Sequence, residues 1–107
     1  MSVISKMLRE EMLDKAKSIE KDINLLISPM RDARSNIHIL KSDVDWHGTY
    51  VMELCGGFNG NGDWSKYLVD LSEIIKKIST KYDTWVIGLD NDVLDDIFYV
   101  KLGVREL

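Results

Sequence analysis

Cys55 is the only thiol of the chain, and with His38 and His47 it supplies the residue types of a nucleophile and its base. No third orienting group and no oxyanion loop is legible beside either histidine, so a core or loop cysteine is the default reading. One cysteine excludes an internal disulfide, and with two histidines it leaves too few ligands for a cysteine–histidine zinc site. The aspartates offer a different chemistry. DVDWHG (residues 43–48) opens like a calcium loop, with Asp43, Asp45 and Gly48 in place. His47 then replaces an oxygen ligand, and the closing position is Leu54 instead of a bidentate glutamate, with Glu53 one place early. A second partial match sets Asn59, Asn61, Asp63 and Asp70 at ligand positions, but Trp64 stands where glycine should turn the chain. Both stretches read as turn and cap residues. GGFNGNG (56–62) is rich in glycine but lacks the lysine of a phosphate-cradling loop and has no strand pattern before it. None of these groups points to a catalytic residue, a metal or a cofactor.

Asp90, Asp92, Asp95 and Asp96 place four aspartates in seven positions. They read as a solvated helix start or, functionally, as an acidic docking patch for a basic partner. The net charge of −4 and pI near 5.1, with lysines and arginines spread along the chain, oppose a nucleic-acid footprint. At 107 residues a single domain is expected, and no run approaches the roughly 18 apolar residues of a membrane span. MSVISKMLREEMLDKAK mixes both charges from residue 6 on and shows no cleavable apolar signal, so cytoplasmic synthesis is expected, with export by a signal-independent route left open.

The elements that must position these groups are read from periodicity. Met12, Ala16, Ile19, Ile23, Leu26, Met30, Ala33, Ile37, Leu40 and Val44 alternate spacings of four and three, the seam of an amphipathic helix running from about residue 3 to about residue 43. Pro29 predicts a kink or a break near residue 28, with Ser28 as a cap. A second seam comprises Trp64, Leu68, Leu71, Ile75, Ile78, Tyr82, Trp85 and Leu89, with Asp63 as its N-cap and Lys76, Lys77 and Lys81 toward its C-terminus. The stretch between, GTYVMELCGGFNGNGD, holds five of the seven glycines and reads as a loop. Residues 91–102 read as a short C-terminal helix. A competing reading makes residues 85–104 a β-hairpin around an Asp-rich loop, because both halves are rich in β-branched and aromatic residues.

Trp46-His47-Gly48, near the middle of the chain and flanked by the two seams, resembles the Trp-x-Gly of the WXG family of small type VII secretion proteins. The resemblance implies an antiparallel helical hairpin that pairs with itself or a partner, is exported by a membrane ATPase system, and escorts a larger effector. The family's export pattern, Tyr-x-x-x-Asp/Glu, is absent, since Val86 lies four beyond Tyr82 and Gly103 four beyond Tyr99. A helper that travels with a partner fits that departure.

The expected fold is therefore all-α: a helical hairpin of two long amphipathic helices joined by a Gly-rich loop, plus a short C-terminal helix, in one domain over 1–107. The alternative is α+β with a C-terminal β-hairpin. The expected function is non-enzymatic: a protein-binding adaptor that associates through its helices with itself or an effector, with Trp46, Gly48, Trp64 and Trp85 as turn and partner-binding residues. The alternative is a small acidic immunity or antitoxin-like inhibitor using Asp90, Asp92, Asp95 and Asp96 against a basic toxin. Trp46 is either an interface residue or an ordinary core anchor, and Gly48 is expected to turn the chain with φ above zero.

Overall fold

Pro29 ends the first helix instead of kinking it. In the computed structural model, which describes residues 3–57, 64–92 and 96–107, with side chains in the first of these from residue 8, helix α1 (Val3–Ile27) gives way to a single 3₁₀ turn, Ser28–Met30. Proline suits that first-turn position, where its missing N–H has no helical partner to lose. Beyond it Ser35 and Asn36 both adopt positive φ (57° and 54°) and reverse the chain. The Ser35 hydroxyl donates to the carboxylate of Asp70, both residues being buried, and Lys66 Nζ lies 3.0 Å from the same carboxylate. A buried carboxylate needs such partners, and these tie the reversal to the second helix.

After the reversal the chain enters a sheet. Strands β1 (His38–Val44), β2 (Tyr50–Gly57), β3 (Tyr82–Asp92) and β4 (Ile97–Glu106) form one antiparallel sheet in the order β1-β2-β4-β3, with helix α2 (Trp64–Ile78) crossing from β2 to the far edge. Both edge strands carry a bulge, at Ile39–Lys41 in β1 and at Val86–Gly88 in β3. The architecture is thus α+β, which overturns the all-α helical hairpin and the coiled-coil pairing of two long seams. Residues 82–106 form a hairpin, in keeping with the competing reading of 85–104, but the sheet contains two further strands that neither reading included. The short helix expected over 91–102 is instead the end of β3 at 91–92 and the start of β4 from Ile97, with 93–95 outside the described residues.

The supposed glycine loop contains the inner strand β2. Gly56 belongs there because a Cβ at that position would press on Ile37 and on the Ser35 carbonyl, and the Gly57 N–H donates to that same carbonyl at 2.9 Å. The part of GGFNGNG at 58–62 and the expected cap Asp63 lie outside the described residues.

The helices cover one face of the sheet. Ala16, Ile19, Ile23 and Ile27 of α1 and Tyr67, Leu71, Ile74 and Ile78 of α2 pack with Met52, Leu54, Phe98, Val100, Leu102 and Val104 in a single buried cluster. The Tyr67 ring stacks on Phe98 at 3.5 Å between centroids, and Trp64 meets the same ring edge-on at 4.2 Å. Such pairs add about 0.5–1.5 kcal/mol beyond area burial. No helix among the described residues is long and apolar enough to cross a membrane.

Candidate functional site: the bare sheet face and the β3 edge

Among the described residues no element covers the second face of the sheet, and register arranges its side chains in rows. His38, Cys55, Tyr99 and Asp90 stand in one row; Lys41, Glu53, Lys101 and Gly88 in the next; Asp43, Val51, Gly103 and Trp85 in the third. Arg105 and Asp83 pair as ions beyond them.

The first row joins two residues that stand 17 positions apart. His38 Nε2 lies 3.4 Å from Cys55 Sγ, while Nδ1 lies 3.0 Å from the Asn36 carbonyl oxygen. A carbonyl only accepts, so Nδ1 donates to Asn36 and Nε2 is left as the acceptor for the thiol. Burial pushes the Cys55 thiol above its ordinary value of 9.0, with the Glu53 carboxylate adding to the rise and Arg31 opposing it. Attack by sulfur needs the thiolate. This environment instead favours a protonated thiol that donates to imidazole. His47 is not part of the pair: it lies in the β1–β2 turn, its ring 3.5 Å from that of Trp46.

That turn also accounts for DVDWHG. One Asp45 carboxylate oxygen accepts from the N–H groups of His47 (2.9 Å) and Thr49 (2.8 Å), and Gly48 closes the turn with φ 83°. A carboxylate so engaged shapes the hairpin. Among the described residues no group of three or more His, Cys, Asp or Glu side chains is placed to hold a metal. Trp46 is 86% exposed, beside Leu8 and Met12 of α1, and is not a core anchor.

The sequence-selected tryptophans do not meet. Trp46 lies in a hairpin turn, Trp64 on the helix side against Phe98, and Trp85 on the bare face, its indole lying where a side chain of Gly103 would otherwise stand. Asp90 and Asp92 lie at the end of β3, and Asp96, with φ 52°, leads the chain into β4. Asp95 lies outside the described residues.

Sequence reasoning missed the contrast between the two sheet edges. At β1 the Asn24 carboxamide acts as a surrogate strand, accepting from Ile39 N–H at 2.9 Å and donating to Ile39 O at 3.2 Å. Arg9 donates to Val44 O at 3.1 Å, and Asp43 takes the Val44 N–H. At β3, among the described residues, no side chain of another element bonds the backbone between Tyr82 and Asn91; only the neighbouring Asp90 takes the Asn91 N–H. Along that strand Trp85, Val86, Ile87 and Leu89 are 41–53% exposed. Trp85 lies on the bare face, while Val86 and Leu89 share the face of Leu102 and Val100, beyond the cover of the helices. The β-branched and aromatic run WVIGL was the signal that could have shown it. No family model, no curated protein and no solved structure matches the chain.

Proposed function

We propose that the protein is a non-enzymatic, inhibitor-like binding protein whose partner is a basic protein, docked on β3 and the aspartates at its end. The observation that supports this reading is the make-up of β3: an edge strand with four large apolar side chains in solvent, flanked by Asp83 on one side and by Asp90 and Asp92 on the other. An apolar centre with a charged rim is the composition of a binding patch, and carboxylates at one end of it favour a partner that brings cations there. Asp83 pairs with Arg105 at one end of the strand, and Asp90 and Asp92 mark the other.

The test is capture from the native source with the wild type, with Asp90→Lys/Asp92→Lys, and with Asp32→Lys as an exposed charge control elsewhere on the surface. The expected result is a basic protein whose capture weakens with salt, is lost in the double variant and persists in the control. Capture that is indifferent to the double variant refutes the proposed surface.

A further inference from the structure

Strand β3 offers more than a charged patch, because its outer backbone is the one long sheet edge that the described side chains leave uncapped. The two edges face the same hazard: an unpaired row of N–H and C=O groups is a template for another strand. The chain covers β1 with Asn24 and Arg9. Among the described residues no side chain of another element covers the β3 backbone between Tyr82 and Asn91; the strand runs for 11 residues and holds no proline and no lysine, the two residue types that most often blunt an edge. Only the bulge at Val86–Gly88 interrupts it. Its exposed side chains point to both faces of the sheet, which suits a partner that lies alongside the strand better than one that covers a single face.

Resting on the proposed docking of a basic protein, we infer that β3 binds that partner by strand addition: an extended segment, apolar at its middle and carrying lysine or arginine at the end beside Asp90 and Asp92, pairs backbone to backbone with β3 and adds a fifth strand to the sheet. A second copy of this chain is the poorer occupant. Antiparallel self-pairing about Ile87 sets Thr84 against Asp90, Asp83 against Asn91 and Tyr82 against Asp92, so it gathers the aspartates of both copies at each end of the paired strands. In strand addition the main-chain bonds hold the segment and its side chains select it. Here the selecting groups are the two aspartates.

The probe is a synthetic peptide of alternating valine and threonine with lysines at its N-terminal end, which reaches Asp90 and Asp92 in antiparallel addition. Three companions serve as controls: the peptide with its lysines at the other end, for parallel addition; one with glutamates in their place; and one N-methylated on alternate residues. Amide exchange and chemical shifts are read by NMR on isotope-labelled protein. The expected result is that one lysine peptide slows exchange of alternate β3 amides between Thr84 and Asn91 by about tenfold or more at saturation. The glutamate peptide binds at least about tenfold more weakly, and the methylated peptide gives no protection. If the lysine peptides shift only Asp90 and Asp92 without protecting β3, strand addition is overturned and the acidic docking surface stands. If neither binds in an Asp90- and Asp92-dependent way, both readings fall. A β3-protected dimer of the free protein would assign the edge to self-pairing and refute the inference.

Discussion

Replacing Asn24 by alanine should destabilise the fold by about 2 kcal/mol. Its carboxamide makes two hydrogen bonds to the backbone of Ile39, at 2.9 and 3.2 Å, and Ile39 is only 3% exposed. A net contribution of about 1 kcal/mol for each bond gives that figure, and it rises where water cannot reach the orphaned groups. In a domain of this size about 2 kcal/mol corresponds to a fall in melting temperature of about 8–15 °C. Asn24→Asp is the sharper variant. A carboxylate still accepts from Ile39 N–H, but it turns a second lone pair toward the Ile39 carbonyl, so at neutral pH it should be no more stable than the alanine variant. Lowering the pH protonates the carboxyl, restores a donor and should recover stability relative to alanine. Equilibrium urea denaturation with an unchanged m-value reads the loss, and exchange of the Ile39 amide locates it. A loss below about 0.5 kcal/mol for Asn24→Ala, or a flat pH response for Asn24→Asp, would refute the capped-edge reasoning.

Four further outcomes are expected. Lys81, 2.8 Å away, and the Tyr82 hydroxyl hold the Asp22 carboxyl below its ordinary value of 3.8, so its contribution is complete above that value and is lost as pH falls through the lower folded one. On acidification the wild type should therefore lose its stability advantage over Asp22→Asn, measured by melting temperature. Burial, reinforced by Asp22, raises the Tyr82 hydroxyl above 10, so stability should also fall once the pH passes 10, and Tyr82→Phe should flatten that limb. Gly103→Ala should drive the Trp85 indole off the sheet at a cost of about 1–3 kcal/mol, read by urea denaturation, and the cost should largely vanish in a Trp85→Ala background. Alkylation of Cys55 by iodoacetamide should show a pH profile with its midpoint above 9.0, whereas a midpoint near neutrality would mark an activated thiolate.

Helix α1 was legible because Ala16, Ile19 and Ile23 are buried on the stripe that periodicity marked. The same periodicity then misled, for a physical reason. A regular strand puts residues seven apart on opposite faces, yet Ile37 and Val44 are both buried, because the bulge at Ile39–Lys41 changes the parity of β1 between them. The bulge at Val86–Gly88 likewise lets Tyr82 and Leu89 share a face. Two bulged strands thus imitate a heptad. In α2 the helix was found but its buried stripe, Tyr67, Asp70, Leu71, Ile74 and Ile78, is rotated from the expected seam, and Leu68 is 47% exposed. Of the site, Asp45 and Gly48 were readable as turn chemistry, since a short carboxylate and a positive-φ glycine act within a few residues. Cys55 with His38 and Asn24 with Ile39 were not, since strand register and helix docking bring those pairs together and neither leaves a local mark.

Magnitudes decide what the bare β3 edge can do. Fully burying a large apolar side chain is worth about 1.5–3 kcal/mol, and Trp85, Val86, Ile87 and Leu89 still expose about half of theirs. Covering all four therefore contributes about 4 kcal/mol, and several strand hydrogen bonds at about 1 kcal/mol each bring a comparable amount. Association costs about 4–15 kcal/mol in lost translational and rotational freedom before any side chain is ordered. The sum is close to balance, so the edge alone does not hold a partner, and a second copy, which sets Asp83 of one chain opposite Asn91, between Asp90 and Asp92 of the other, gathers carboxylates and falls on the unfavourable side. A cation placed beside Asp90 and Asp92 changes the sign of that last term. Under the proposed strand addition the uncapped edge and the acidic end act as one device, in which the backbone supplies an unspecific template and the carboxylates decide which strand uses it.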